Sequence, residues 1–337
     1  SPNFADGHNN MGVALQELGR SEEAIESYAR ALHINPHLAS AHNNMATALA
    51  TLGRHDAAIR HYHQALRIEP MSASAFYNLG LVLRQRGRLS EAMECLTRAT
   101  ALKPDFAAAL RNLGSLLSDC GRPQEAIAAF SRALAVDPSL SMARAQRLHQ
   151  LARICDWTEI ASELAVAPML GLTGGIVPPF SMLSLQDQPD KQLVRAQRFA
   201  AERYGSIKRK DIPLHRHEKL HSNARPGRLR IAYFSSDFHN HATMFLMARM
   251  LELHNKNRFE IHAFSYDEVA PDAMQQRLLG AVDRFHDVCA LDDSAIAELA
   301  RSNAIDIAID LKGYTQNART GIFAYRAAPI QVSYLGY

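Results

Sequence analysis

The sequence has few of the residues that characterise specialised protein classes. Its 337 residues include one tryptophan and four cysteines, and the cysteines at positions 95, 120, 155 and 289 form no CxxC pair. Widely spaced cysteines argue against structural zinc and against a disulfide framework. They favour a reducing, cytoplasmic location.

An excess of charge of one sign is also missing. Lys and Arg number 37 and Asp and Glu number 34, which gives a net charge of +3. This balance argues against a general nucleic-acid binder and against a membrane-surface binder. No apolar stretch reaches the ~18 residues of a membrane span, and the first residues show no signal-peptide pattern. At this length two or three domains are expected.

Small residues and prolines recur every 34 residues through the first part of the chain. The series are Pro2, Pro36, Pro70, Pro104 and Pro138; Gly19, Gly53, Gly87 and Gly121; Ala24, Ala58, Ala92 and Ala126; and Ala31, Ala65, Ala99 and Ala133. This period is that of the tetratricopeptide repeat, a helix–turn–helix unit. Glycine ends the first helix at a tight turn, and proline closes the second. The pattern predicts an α-solenoid of about four repeats over residues 1–138.

Asparagine recurs with the same period on the first helix of each unit, at Asn10, Asn44, Asn78 and Asn112. Asparagine is a mediocre helix former, so four in register need an explanation. One explanation is that they cap or bridge neighbouring helices. The other is a ladder along the groove that binds an extended peptide, because a carboxamide both donates and accepts hydrogen bonds. Both explanations stay open, and the second predicts acceptor proteins or peptides as partners.

The repeat weakens after residue 138. The next unit would place Cys155 at the turn glycine, so we expect Gln146–Trp157 to be a last, modified helix with Trp157 as a packing anchor. A polar helix over about Asp187–Tyr204 and a basic linker over Lys208–Arg230 follow. We therefore interpret residues 139–227 as modified terminal helices and a linker.

From Arg228 the pattern changes to short β-branched or aromatic runs that alternate with helical patterns. The predicted strands are Leu229–Ser235, Phe259–Tyr266, Phe285–Leu291, Ile305–Leu311 and Ile330–Leu335, and the predicted helices are Thr243–Leu253, Pro271–Leu279 and Ser294–Ser302. Such alternation predicts a parallel sheet with covering helices, a Rossmann-like α/β lobe over residues 228–337. The last two strands are nearly continuously apolar, as expected for strands buried on both faces.

In such sheets ligands bind at the carboxyl ends of the strands, which directs attention to the loop after the first strand. This loop contains Asp237, His239, Asn240 and His241 just before a predicted helix N-terminus. The N–H groups there suit a phosphate or a developing anion. The loop has neither a GxGxxG nor a GxxxxGK[ST] motif. Alternatively, Asp237 caps the helix and the histidines are exposed. A metal site of Asp237, His239 and His241 is a weaker alternative, because no distant ligand cluster accompanies it.

The segment Arg228–Thr243 closely resembles the start of the catalytic region in O-linked N-acetylglucosamine transferases. Three further stretches agree in order and spacing: Cys155–Trp157, Ser181–Leu183, and Asp310–Thr315 running on to Ala328–Tyr337. The sequence departs from the family pattern in having Pro179 and Phe180 where histidines are usual, and Ala242 in place of proline. These departures indicate a distant, bacterial member with its own acceptor preference.

The resemblance implies a GT-B architecture, with two Rossmann-like lobes and the active site between them. Residues 228–337 would be the N-terminal lobe. The C-terminal lobe, which holds the uridine and diphosphate, is not in this chain, so we expect a longer polypeptide. The implied activity is an inverting, metal-independent transfer of N-acetylglucosamine from UDP-GlcNAc to Ser or Thr hydroxyls of proteins. No other cofactor is implied.

Carried onto this sequence, the resemblance makes His241 and Asp237 the active-site pair. His241 is the expected base, and Asp237 either orients it or is the base itself. The acceptor and sugar side would be lined by Met182, Asn240, Thr243, Leu335, Gly336 and Tyr337. Two other hypotheses stay open: an inactive repeat scaffold that only binds peptides, and a GT-B transferase of different sugar specificity. A scaffold would have no reason to keep His241 and Asp237 together in one loop.

Overall fold

The computed structural model describes residues 4–163, 165–183, 185–207, 227–267, 272–315 and 317–335. It divides into two compact units, the first ending at Val177 with a short addition up to Asp187, and the second formed by Pro178–Leu183 and by the chain from Gln188 onward. The segment 139–227 is therefore shared between the two units. No helix within the described ranges is long and apolar enough to cross a membrane.

The first unit consists of helix pairs that repeat every 34 residues, which confirms the α-solenoid of tetratricopeptide repeats. The first helices, α1, α3, α5 and α7, are Ala5–Glu17, Ala39–Thr51, Ala73–Gln85 and Ala107–Asp119; the second helices, α2, α4, α6 and α8, are Ser21–Ile34, His55–Ile68, Leu89–Leu102 and Pro123–Val136. The turn glycines between them have φ values of 70–74°. Glycine adopts this left-handed conformation at little cost, so it ends each first helix sharply.

Within a pair, a small residue of the first helix faces a large residue of the second. A Cβ atom on Gly12 would lie 2.4 Å from the ring of Tyr28, and one on Gly114 would lie 2.7 Å from the ring of Phe130. Both rings are fully buried. The two helices can therefore approach this closely only because the first helix carries no side chain at these positions.

A fifth first helix, α9 (Ser141–Arg153), continues the 34-residue period. The predicted helix Gln146–Trp157 was therefore placed too far along the chain. Cys155 stands where the earlier units have the turn glycine and adopts a φ of 58°. The turn geometry thus persists although the residue that favours it has been replaced.

The short helix α10 (Trp157–Glu163) follows this turn and is tied back to α9 by ion pairs. Glu163 accepts from Arg144 at 2.5 Å and from Arg147 at 3.1 Å, and all three side chains are largely buried. Trp157 is 56% exposed, so the prediction that it anchors the packing is wrong. Charged side chains on the neighbouring turns hold α10 in its place.

The second unit begins with α11 and continues as alternating strands and helices. The helices α11 to α15 are Pro189–Tyr204, Ala242–Glu252, Ala273–Ala281, Asp293–Ser302 and Gly321–Ala324; the strands β1 to β5 are Leu229–Ser235, Phe259–Ser265, Arg284–Asp287, Ile307–Asp310 and Ile330–Ser333. The strands form one parallel sheet in the order β3-β2-β1-β4-β5. This topology confirms the predicted Rossmann-like lobe.

The sheet is buried through its centre and more exposed at its two edge strands, β3 and β5. In β1, Ile231 and Tyr233 pack into one hydrophobic cluster, and Ala232 and Phe234 pack into the other. The residues of β5 are exposed or half-buried, so the prediction that this strand is buried on both faces is wrong. β5 pairs with β4 along one side only in the sheet that the structure describes, and an edge strand has fewer neighbours to cover it.

Candidate active site

The strand order places two loops side by side at the carboxyl edge of the sheet. Consecutive strands run from β1 to β2 and β3 on one side, whereas β4 and β5 lie on the other. Phe234 of β1 is in register with Asp310 of β4. The loops after β1 and β4 therefore meet at the topological switch point, where ligands of open α/β sheets bind.

Asp237 lies in the loop after β1 and is only 6% exposed. Its Oδ1 accepts hydrogen bonds from Lys312 Nζ at 2.9 Å and from Ser236 Oγ at 2.9 Å. Its Oδ2 accepts from Lys312 Nζ at 2.8 Å and from Thr243 Oγ1 at 3.3 Å. The carboxylate is thus held by both neighbouring loops and by the first turn of α12.

Lys312 is the most important side chain that the sequence analysis did not single out. It is 7% exposed and lies 75 residues from its partner Asp237. The available signal was a charged side chain directly after an apolar strand, within the stretch Asp310–Thr315 that carries the family resemblance. Its role became visible only when the sheet order brought the two loops together.

The pKa of Asp237 reflects opposing effects of burial and of its neighbours. Burial alone would raise it, but the hydrogen bonds and the positive charge of Lys312, helped by Ser236 and His241, hold the pKa below its usual value. Asp237 is therefore ionised at neutral pH and paired with a cation.

His241 is the N-cap residue of α12, and its ring is held through one nitrogen. Nδ1 accepts from the backbone N–H of Thr243 at 3.2 Å, and it lies 3.1 Å from Thr243 Oγ1 and 3.3 Å from Asp237 Oδ2. Because Nδ1 accepts the backbone hydrogen, the neutral ring carries its proton on Nε2 in this arrangement. The side chain is 43% exposed, which leaves Nε2 available to a substrate.

Asn240, between the two histidines of the loop, is held by Asp272 at the start of α13. The backbone N–H of Asn240 donates to Asp272 Oδ2 at 2.5 Å, and Asp272 also caps α13. The ring of His239 lies 5.7 Å from that of His241, and its Nδ1 has no hydrogen-bond partner among the residues that the structure describes. Asp272 was not foreseen, because a helix and a strand separate it from the loop along the chain.

The structure supports no metal site at this loop. Across the residues it describes, no group of three or more His, Cys, Asp or Glu side chains is arranged to hold a metal ion. Both carboxylate oxygens of Asp237 are already bound to Lys312. The alternative in which Asp237, His239 and His241 form a metal centre therefore lacks geometric support.

The other residues predicted for the acceptor and sugar side are dispersed. Thr243 joins the Asp237 network and Asn240 is exposed, whereas the side chain of Met182 is fully buried. Leu335 is 48% exposed, with a φ of 62°. Gly336 and Tyr337 lie outside the described residues. The substrate contacts assigned to these positions stay predictions.

A second concave site lies at the carboxyl ends of β4 and β5. A cavity of about 960 Å³ is lined there by α11 residues such as Tyr204, by Asp310, and by Val332 of β5. Burial raises the pKa of Asp310, although the backbone N–H groups and the charge of Lys312 act against it. The cavity therefore combines one carboxyl group with a largely apolar lining.

The asparagine ladder of the first unit connects consecutive repeats. Asn44 Nδ2 donates to Asn9 Oδ1 at 3.1 Å, and Asn78 Nδ2 donates to Asn43 Oδ1 at 3.5 Å. Asn43, Asn44 and Asn78 also line a cavity of about 400 Å³. The amides therefore bridge neighbouring first helices, and they still face open space in which a peptide could bind.

The two ends of the ladder differ from its middle. Asn112 is 8% exposed and donates both amide hydrogens, to Tyr77 OH at 3.1 Å and to Ala108 O at 2.9 Å. Asn10 is exposed. Asn44 and Asn78 are thus the members of the ladder that both bridge repeats and line the cavity.

Comparison with known proteins identifies both units. Residues 175–337 match the model of glycosyl transferase family 41, and residues 4–69, 43–105 and 83–152 match models of the tetratricopeptide repeat. The family 41 match includes Asp237, His241 and Lys312. The chain carries a family 41 glycosyltransferase region after tetratricopeptide repeats. The resemblance noted in the sequence is thereby confirmed.

Curated relatives of this chain are peptide N-acetylglucosaminyltransferases by name. The chain is 32% identical over 199 residues to the probable UDP-N-acetylglucosamine–peptide N-acetylglucosaminyltransferase SEC of Arabidopsis thaliana, covering 56% of this chain and 20% of that protein. It is 38% identical over 111 residues to the UDP-N-acetylglucosamine–peptide N-acetylglucosaminyltransferase of Caenorhabditis elegans, covering 33% and 10%. The chain therefore spans a fifth or less of these relatives.

Two solved structures match this chain over different lengths. A mutant of Thermobaculum terrenum O-GlcNAc transferase matches with 25% identity and a TM-score of 0.48, covering 89% of this chain and 50% of that one. Pseudomonas aeruginosa pilF matches with 21% identity and a TM-score of 0.50, covering 60% and 92%. The second match shows the fold of the repeats alone.

Proposed function

We propose that the protein is an inverting glycosyltransferase that moves N-acetylglucosamine from UDP-GlcNAc to Ser or Thr hydroxyls of proteins, and that its repeats bind the acceptor. The observation that carries this proposal is the family 41 match over the loop that contains Asp237 and His241. The activities in the names of these relatives support the donor and the acceptor class.

In this reaction the acceptor hydroxyl attacks the anomeric carbon of the sugar, and UDP leaves. The hydroxyl must lose its proton as it attacks, and a base within hydrogen-bond reach assists that loss. His241, at the exposed end of the loop, is the candidate for this role. The N-terminus of α12 adds a partial positive charge near developing negative charge. We propose that neither a metal nor another cofactor is required.

A donor panel tests the proposed activity. The protein, in a form that includes both lobes of the GT-B architecture, is incubated with a Ser/Thr-rich peptide and with UDP-GlcNAc, UDP-glucose or a GDP-sugar, and the mass of the peptide is followed by mass spectrometry. We expect a mass increase of one N-acetylhexosamine with UDP-GlcNAc only. Transfer from another donor alone would favour a GT-B transferase of different sugar specificity. Peptide binding without any transfer would favour the inactive scaffold.

Peptide binding by the asparagine ladder can be tested separately from catalysis. We expect replacement of Asn44 and Asn78 by alanine to weaken peptide binding by roughly 0.5–1.5 kcal/mol per lost hydrogen bond. The effect should depend little on the peptide sequence, because the ladder is proposed to contact backbone groups. Isothermal titration calorimetry with two unrelated peptides measures both quantities.

Two matched variants serve as controls for the ladder. Asn112→Ala should affect stability more than peptide affinity, since both amide hydrogens of Asn112 are used within the repeats. Asn257→Ala, at an exposed position outside the repeats, should change neither. Unchanged peptide affinity in a folded Asn44→Ala, Asn78→Ala double variant would show that the ladder bridges the helices and does not bind the peptide.

A further inference from the structure

We propose that Lys312 is a positioning residue of the transferase: it holds Asp237 as a fully hydrogen-bonded carboxylate that orients the loop and takes no proton from the acceptor hydroxyl. This inference rests on the proposed function. It answers a question that the sequence leaves open, namely which of Asp237 and His241 serves as the base.

The hydrogen bonds of Asp237 leave it no room for a substrate proton. A carboxylate offers about four acceptor sites. In this loop Lys312 takes one site on each oxygen, Ser236 takes one on Oδ1, and Thr243 takes one on Oδ2. A general base needs a free lone pair within reach of the hydroxyl. Asp237 is 6% exposed and would first have to give up one of these partners.

The charge of Asp237 depends on the same lysine. Within the described part of the chain, the ionisable groups that act on it are His241 on its own loop, Lys312 after β4, and the buried phenol of Tyr266 after β2. Burial raises the pKa of Tyr266, and the negative charge of Asp310 raises it further. Neither Tyr266 nor Asp310 supplies a positive charge. Compensation of the buried carboxylate therefore falls to Lys312, and His241 contributes only when it is protonated.

Thr243 transmits the position of Asp237 to His241. Its hydroxyl donates to Asp237 Oδ2, and its backbone N–H donates to His241 Nδ1. Without Lys312, Asp237 Oδ2 has a free acceptor site 3.3 Å from His241 Nδ1 and favours a proton on that nitrogen. A protonated Nδ1 no longer accepts from the backbone N–H of Thr243, so the ring no longer caps α12. Lys312 thus acts on the imidazole through two intermediate side chains.

The first test measures the protonation of Asp237 directly and requires no activity. The carboxyl carbon of Asp237 is followed by ¹³C NMR against pH in the wild-type chain and in the variants Lys312→Met and Lys312→Arg. We expect the titration in Lys312→Met to move upward by about 1–3 pH units, the usual effect of an adjacent cation. Lys312→Arg should restore it, because a guanidinium also pairs with both oxygens. An unchanged titration in Lys312→Met would overturn the inference.

The second test separates a positioning role from a base by turnover. We expect Lys312→Met to lower kcat by about 10²-fold, the scale of a misplaced catalytic group. Adding Asp237→Asn removes the uncompensated charge and should recover roughly tenfold of that loss, an interaction expected for residues in direct contact. If Asp237 is the proton acceptor, the double variant is no better than Lys312→Met, which contradicts the proposal.

Failure of this inference can be told apart from failure of the proposed function. Wild-type protein that includes both GT-B lobes and transfers no sugar from any donor would overturn the proposed function. An active enzyme in which Asp237→Asn alone abolishes turnover, and in which Lys312→Met does not rescue it, would overturn this inference alone. Lys312→Arg retains the charge, so it keeps the comparison informative if the methionine variant folds poorly.

Discussion

Replacing His241 by alanine is expected to lower the turnover of the transferase by roughly 10²–10⁴-fold, the usual contribution of a general base. A Ser or Thr hydroxyl is a weak nucleophile at neutral pH, and imidazole is the side chain whose ordinary titration lies closest to that pH. His241 is exposed enough to meet a substrate, and its ring is already fixed at the start of α12.

In the loop as it stands, the neutral ring of His241 carries its proton on Nε2 and therefore donates from that nitrogen. To accept a proton on Nε2, the neutral ring must carry its own proton on Nδ1, which has to give up the backbone N–H of Thr243. Thr243 Oγ1, 3.1 Å from Nδ1, is placed to accept that hydrogen while its own hydroxyl hydrogen is donated to Asp237 Oδ2. Proton transfer to His241 thus requires a change of tautomer that Thr243, itself held by Asp237, stabilises.

The matched variant for this prediction is His241→Asn. Asparagine is a good N-cap residue, so α12 should remain stable, but a carboxamide takes no proton at neutral pH. We expect kcat at saturating donor and peptide to fall as much as in His241→Ala, and His239→Ala to cost much less. Near-normal turnover of His241→Asn would place the proton acceptor outside this side chain, for example on the phosphate of the donor.

Replacing Phe130 by alanine is expected to reduce the free energy of unfolding of the first unit by about 3–5 kcal/mol. Phe130 is fully buried, and it packs on Gly114 of the facing helix. Since Gly114 has no side chain, nothing in the facing helix can move in to fill the space. The loss therefore combines the lost burial of the ring with a cavity that remains open.

The third repeat supplies a natural control for this change. Leu96 occupies the position of Phe130 there and packs on Gly80, at 3.0 Å from a Cβ built on that glycine. Phe130→Leu should therefore cost far less than Phe130→Ala, and Val136→Ala, at a 44% exposed position, should cost little. Urea denaturation followed by two spectroscopic probes measures these differences. Equal losses in Phe130→Leu and Phe130→Ala would contradict this account of the packing.

The repeats could be predicted from the sequence, because residues close together along the chain determine the helices and the turn of each repeat. The turn glycines and the alanine columns fix the helix pairs from neighbouring residues alone. The fifth first helix kept the period but not the glycine, and Cys155 adopts the left-handed turn nonetheless. The repeat residues in the sequence therefore predicted an earlier end of the repeats than the helices of the structure show.

The site was predicted only as far as one loop. Asp237 and His241 are four residues apart, so their proximity could be inferred, although their catalytic roles stay predictions. Lys312 reaches Asp237 only because β4 lies beside β1. This strand order could not be predicted from any local sequence pattern. The exposures of Trp157 and β5 were mispredicted for a similar reason, because side-chain burial depends on which elements come to lie alongside.

The glycine–aromatic packing of the repeats has a consequence for how the array can change by gene duplication. Gly12 and Tyr28, like Gly114 and Phe130, lie within one 34-residue unit, so a duplicated unit carries both halves of its internal contact. Each ladder asparagine after the first donates a hydrogen bond to a residue of the preceding unit, one position before that unit's own ladder asparagine. This acceptor differs between successive units: Asn9, Asn43 and Tyr77. Selection can therefore alter the residues beside the ladder, or add a whole unit, while the contact inside each existing unit remains intact.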